Sequence, residues 1–134
     1  LAWGHGWAAV AERPRGFPTG QHPIKSVLAM RACCALENEQ DTLYAFSHAM
    51  FKAYFTHGRD IDNSSVVADV ANTLGIDGER LVDRASEQVI KDRLRANTEE
   101  AIAKGAFGSP TMIVNEDRLY FGNDQLPLVR QALL

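Results

Sequence analysis

Only one stretch of this chain reads as paired strands, and it is too small to stand alone. Thr111-Met112-Ile113-Val114 is a short β-prone run, Asn115-Glu116-Asp117-Arg118 reads as a turn, and Leu119-Tyr120-Phe121 reads as the returning strand. A two-stranded hairpin is marginal in water and needs more strands or a covering layer. The remaining periodic segments carry the helical period. The expected fold class is therefore mainly α with a small β hairpin, in the order helices, hairpin, helix. No further strand is visible to complete the sheet, so the expectation is that a strand-bearing segment precedes Leu1. The opening Leu1-Ala2-Trp3-Gly4-His5-Gly6-Trp7 has neither an initiator Met nor a basic leader.

The helices have readable ends. Ala8 to Glu12 reads as the close of a helix, stopped at Arg13-Pro14. Pro14, Gly16, Pro18, Gly20 and Pro23 then punctuate a loop. Ser26 is the expected N-cap of a helix reaching Glu37, with Val27, Met30 and Cys34 on its apolar side. Asp41 starts the next, where Leu43, Tyr44, Phe46, Met50, Phe51, Tyr54 and Phe55 cover about half the circumference. Asn63 caps a helix striped by Val66, Val67, Val70 and Leu74, and Asp77 caps a shorter one through Leu81 and Ala85. Gly58, Gly75 and Gly105 are the stops, as residues that tolerate positive φ. Val89 to Lys104 continues in helix with Ile90, Leu94, Ala101 and Ile102 inward. Asn97 and Glu100 have capping-box spacing, which leaves one kinked helix or two abutting ones open. Leu126 to Leu134 closes the chain as a helix with Pro127 in its first turn.

Composition narrows the function. Acidic residues (17) outnumber basic ones (14), the formal net charge is −3, and no basic cluster stands out. A phosphate-tracking surface needs the opposite balance, so nucleic acid is not an expected partner. Charge interrupts every apolar window well before membrane-spanning length, so no membrane association is expected. The two cysteines, Cys33 and Cys34, are adjacent. Helical neighbours point about 100° apart, which disfavours a local disulfide. Free thiols suit a reducing compartment, and the expected location is the cytoplasm. They read as small buried fillers, since the Cys-x-x-Cys spacing of a redox site is absent. His5, His22, His48 and His57 make no ligand set, and no metal site is expected.

Two short stretches carry candidate chemistry. In Gly108-Ser109-Pro110-Thr111 the proline forces Ser109 to be extended just before a strand. A cis Ser109–Pro110 bond would leave the main chain of Ser109 facing a ligand, and a peptide-like thiol could pair with it as a short extra strand. The alternative is an ordinary proline turn into an edge strand. In Gly122-Asn123-Asp124, Asp124 is either the N-cap of the last helix or a ligand contact at a helix start.

The run Asn97-Thr98-Glu99-Glu100-Ala101 through Gly105-Ala106-Phe107-Gly108-Ser109-Pro110-Thr111, then Phe121-Gly122-Asn123-Asp124, resembles the end of the 2-hydroxychromene-2-carboxylate isomerase family. Kappa-class glutathione transferases and the wider DsbA-like thioredoxin group are its relatives. Phe17-Pro18 and His22-Pro23 followed by Ala29-Met30-Arg31 resemble the start of that family's inserted helical domain. The resemblance implies the C-terminal part of a DsbA-like thioredoxin fold with a helical insertion. Residues 1–19 would be the end of an N-terminal element and a linker, 20–95 the insertion, and 96–134 the second half of the thioredoxin-like domain.

The resemblance also implies a cofactor, glutathione. Pro110 matches the family's cis proline, and Ser109 would offer its backbone to the cysteinyl part. Asn123 and Asp124 match the position that holds the γ-glutamyl end, where an acidic side chain suits an ammonium group. Lys25 matches a position lining the substrate cleft, where it would meet the carboxylate of an aromatic substrate; a solvated lysine is the alternative, and Arg31 poses the same choice. The family's serine, which holds and activates the thiolate, belongs to a first strand expected before Leu1, and the catalytic residue is unknown within this chain. The implied activity is a glutathione-dependent isomerase acting on aromatic carboxylic compounds of the 2-hydroxychromene-2-carboxylate type. A kappa-type transferase fragment, a DsbA-like thiol–disulfide oxidoreductase and a non-catalytic dimerising protein are the alternatives. Open strand edges favour association, so a homodimer or another sheet-completing assembly is expected.

Overall fold

A computed structural model describes residues 25–134. The helix end expected at Ala8–Glu12, the proline-punctuated loop that follows, and His22-Pro23 lie outside the described residues. The elements are α1 Val27–Ala35, α2 Gln40–Phe55, α3 Ser64–Thr73, α4 Gly78–Ala85, α5 Gln88–Ala103, β1 Thr111–Val114, β2 Arg118–Phe121, a 3₁₀ turn Asn123–Gln125, and α6 Leu126–Leu133. Among the described residues the fold class is helices with one small antiparallel hairpin, as the periodicity predicts. The chain divides into two compact units, one ending at Leu94 and the other spanning Arg95–Leu134.

In the first unit α1 packs on α4 and α2, and α3 packs on α2 and α4. Ala32, Leu36, Phe46, Val67, Leu81 and Ala85 lie at the centre, with Phe46, Val67, Ala32 and Ala85 fully buried. Small residues on α1 and α4 allow close approach, so the larger Phe46 and Leu81 fill the space between helices. The broad apolar arc of α2 is only partly used: Phe46, Met50, Ala53 and Tyr54 are buried, while Tyr44 and Phe51 are half exposed.

Two helix starts behave as their residue types demand. The Asn63 side chain accepts the Ser65 N–H at 2.9 Å, and the Asp77 carboxylate accepts the Arg80 N–H at 3.1 Å. Asn72, on an outer face of α3, accepts the Gly78 N–H at 2.9 Å and so joins two helices. A Cβ on Gly78 would collide with the main chain of Ala68, which is why no larger residue fits there. Arg84 reaches across to donate to the Ala35 carbonyl at 2.7 Å, satisfying one of the open carbonyls at the end of α1.

Two details differ from the sequence reading, and one choice left open by it is decided. Ser26 occupies the N-cap position of α1 but makes no capping bond, its hydroxyl pointing instead to the Met30 sulfur 3.9 Å away. α5 is one continuous helix, so the Asn97/Glu100 spacing marks no helix start. Ile102 is 67% exposed, whereas Ile90 packs against the first unit's core.

In the second unit the hairpin register pairs Thr111 with Phe121, Met112 with Tyr120, Ile113 with Leu119 and Val114 with Arg118. The loop is one residue shorter than the expected turn, because Arg118 joins β2. Asn115 and Glu116 both have positive φ, a region asparagine tolerates well. α6 packs on β1, and Pro127 sits in its first turn. Val114 is the buried hydrophobic residue of this unit.

Candidate functional site

The hairpin brings two of the candidate stretches together. The Gly122 N–H donates to the Pro110 carbonyl at 3.0 Å, one step beyond the Thr111–Phe121 pair. Gly108–Pro110 and Gly122–Asp124 therefore flank the same end of the two-stranded sheet. The Ser109–Pro110 peptide bond is cis. Ser109 is exposed, Pro110 half buried, and neither main-chain group of Ser109 is hydrogen-bonded to a described residue. The Thr111 hydroxyl donates back to the Gly108 carbonyl, closing the turn from the other side.

Asp124 is not the N-cap of the last helix. That position belongs to Gln125, which makes no side-chain capping bond, and Asp124 lies in the 3₁₀ turn before it. Gly122 has φ +100, and a Cβ there would lie 2.5 Å from Asp124 Oδ1. The Gln125 amide donates to Asp124 Oδ2 at 3.3 Å. Asn123 and Asp124 are both exposed. The capping account fails because the extra 3₁₀ residues shift the helix start past Asp124.

An aromatic pair that the sequence reading did not single out sits beside this turn. The rings of Phe107 and Phe121 are 4.6 Å apart at 37°, although Phe107 is 74% exposed. Gly108 lies under the pair: a Cβ there would approach the Phe121 ring to 2.9 Å. The alternation of β2 and the Phe-Gly step before Ser109 were the available signal.

Lys25 belongs to the first unit, exposed immediately before α1. Arg31, on α1, has a buried Nε without a hydrogen-bond partner among the described residues. Both cysteines are free thiols. Cys34 is buried, while Cys33 is half buried with its sulfur 3.6 Å from the Ser47 hydroxyl. Burial pushes the Cys33 thiol above the ordinary thiol range, the Ser47 hydrogen bond pulls it down, and Cys34 adds a smaller upward push. No group of three or more His, Cys, Asp or Glu side chains among the described residues could hold a metal ion. No helix among them is long and apolar enough to cross a membrane.

The DSBA-like thioredoxin domain matches residues 5–134. The chain belongs to the DSBA-like thioredoxin domain family. Within that family it is similar, at low identity, to two named groups. Glutathione S-transferase kappa 2 of Caenorhabditis elegans is 27% identical over 134 residues, covering 95% of this chain. Glutathione S-transferase kappa 1 of Rattus norvegicus is 30% identical over 128 residues, covering 90% of it. The 2-hydroxychromene-2-carboxylate isomerase of Sphingobium xenophagum is 28% identical over 129 residues, covering 96% of it. This DSBA-like chain spans 60%, 56% and 63% of the length of those three relatives.

Proposed function

We propose that this chain is part of a glutathione-dependent, isomerase-like protein acting on aromatic carboxylic compounds of the 2-hydroxychromene-2-carboxylate type. The observation that carries the reading is the exposed main chain of Ser109 at the end of the hairpin, unpaired among the described residues and tied through Pro110 and Gly122 to Asn123 and Asp124. An open N–H and C=O beside a strand suit a short peptide docking as an added strand. The exposed Asp124 carboxylate, a turn away, suits an ammonium group. Glutathione has both parts: a cysteinyl peptide backbone and a γ-glutamyl amine. The residues present fit it.

In this reading Ser109 holds the cysteinyl segment by main-chain hydrogen bonds, and Asn123 and Asp124 hold the glutamyl end. Those contacts fix the position of the thiol without touching it. When bound, glutathione supplies a nucleophilic thiolate for reversible addition to a conjugated carbonyl system. Lys25, exposed in the first unit, carries a positive charge that suits a carboxylate. Resemblance to kappa-class proteins supports transferase chemistry at the same residues as the second reading. The free cysteines fit the cytoplasm. The hairpin's two outer edges have no strand partner among the described residues, which supports a homodimer or another sheet-completing association.

Glutathione titration followed by amide NMR tests the reading. The Ser109 and Asn123–Gln125 amides should shift in a saturable way, and Asp124→Ala should weaken the titration by about tenfold, as loss of one charge-assisted contact does. Saturating glutathione that leaves the Ser109 and Asp124 amides unmoved would reject it. Activity is checked separately by the absorbance change of the hydroxychromene carboxylate.

A further inference from the structure

The first unit contains an open cavity of about 430 Å³ between α1 and α2. Its α1 wall is Ser26, Ala29, Met30 and Cys33; its α2 wall includes Ser47, Met50, Phe51 and Tyr54. Each set follows the i, i+3, i+4, i+7 spacing of one helical stripe. Ser26, Ala29, Cys33 and Ser47 are short, so the two stripes face each other without filling the space. The volume falls within the roughly 300–1,000 Å³ of small-molecule sites.

The lining sets the chemistry of an occupant. Among the described lining residues none is charged. A carboxylate or ammonium taken inside would meet no counter-ion among the described lining residues, and burying an unpaired charge is costly. The α2 side presents rings: Phe51 and Phe55 are nearly parallel at 12°, and Tyr54 meets Phe55 edge-on at 4.8 Å. Such a wall favours a flat aromatic partner by offset stacking. Met30 and Phe51 are 48% and 46% exposed, so apolar surface stands in water until something covers it. The thiol of Cys33 and the hydroxyl of Ser47, 3.6 Å apart, provide one polar contact at the wall.

We propose that this cavity binds a neutral aromatic small molecule of two linked rings, carrying a single hydroxyl or carbonyl directed to Cys33 and Ser47. Neither Ser109 nor glutathione enters the assignment, and it stands if the glutathione reading fails. An uncharged occupant also separates it from the aromatic carboxylate assigned to Lys25.

The test uses 4-phenylphenol and its anionic counterpart biphenyl-4-carboxylate as probes, by calorimetry. Cys33 provides an internal reporter, since Cys34→Ala leaves it the sole thiol of a chain that has 2 cysteines. 4-Phenylphenol should bind saturably and slow N-phenylmaleimide labelling of Cys33, and the carboxylate should bind at least about tenfold more weakly. Met30→Glu places a charge at the half-exposed mouth and should weaken 4-phenylphenol by about tenfold or more, while Met30→Gln should weaken it less. Unchanged circular dichroism confirms that both variants fold. Three results would overturn the proposal. One is the absence of saturable binding. Another is binding that leaves Cys33 labelling unchanged. The third is a carboxylate that binds as well as the phenol and is weakened by Lys25→Met.

Discussion

Across the end of the hairpin, the Gly122 N–H meets the Pro110 carbonyl at 3.0 Å, and the Asp124 carboxylate folds back over Gly122. This pair fixes where the turn before β1 lies relative to the turn after β2. Gly122 has φ +100 and ψ 153, a region that only glycine occupies comfortably.

Gly122→Ala should therefore destabilise the second unit by about 1–3 kcal/mol. The new Cβ would also displace Asp124. A urea titration of the variant reads the first effect, and loss of the glutathione-induced Asp124 amide shift reads the second. A variant with wild-type stability would show that the backbone there is free to rearrange.

Helix starts give a graded prediction. Asn63→Ala and Asp77→Ala each remove an observed capping bond and should cost about 1 kcal/mol. Ser26→Ala removes none and should change stability by less than about 0.5 kcal/mol. Chemical denaturation of the three variants checks the order.

The same contrast shows what was legible in the sequence. Asn63 and Asp77 were readable as caps because each precedes a clean apolar stripe, and a cap depends only on neighbours within one turn. Ser26 carries the same signal, yet its hydroxyl turns to the Met30 sulfur, a choice that local spacing does not encode. The hairpin was readable from β-branched and aromatic residues around a polar turn. Asp124 was not readable as a non-cap, because the intervening 3₁₀ turn moves the helix start by one residue. The Ser109 segment was found through the proline that follows it. The Cys33–Ser47 pair has no local sequence signal, because its members are 14 positions apart and only the packing of α1 on α2 joins them.

Packing at the centre of the first unit should be the most sensitive to truncation. Phe46 is fully buried among residues from four helices, and Phe46→Ala should cost about 3–5 kcal/mol. The Arg93–Glu37 pair, 2.9 Å apart but with the arginine 53% exposed, should give less than about 1 kcal/mol on removal. Unfolding midpoints of Phe46→Ala and Arg93→Ala should differ accordingly.

Cys33 provides a pH prediction whose sign follows from burial. Its thiol lies above the ordinary thiol range, chiefly because burial disfavours the thiolate, so the folded chain holds this proton to higher pH than the unfolded chain does. Between the two titrations the folded state binds more protons, and stability falls as pH rises. The contribution is fully present below the ordinary thiol range and is lost on passing through the raised value. Urea midpoints measured from neutral to alkaline pH should fall more steeply for the parent than for Cys33→Ala. Thiol labelling should agree, being slower for Cys33 at neutral pH than for a free peptide thiol. Ser47→Ala removes the hydrogen bond that opposes the burial effect and should slow labelling further. Faster labelling in Ser47→Ala would mean that the hydroxyl shields the sulfur sterically and does not stabilise the thiolate.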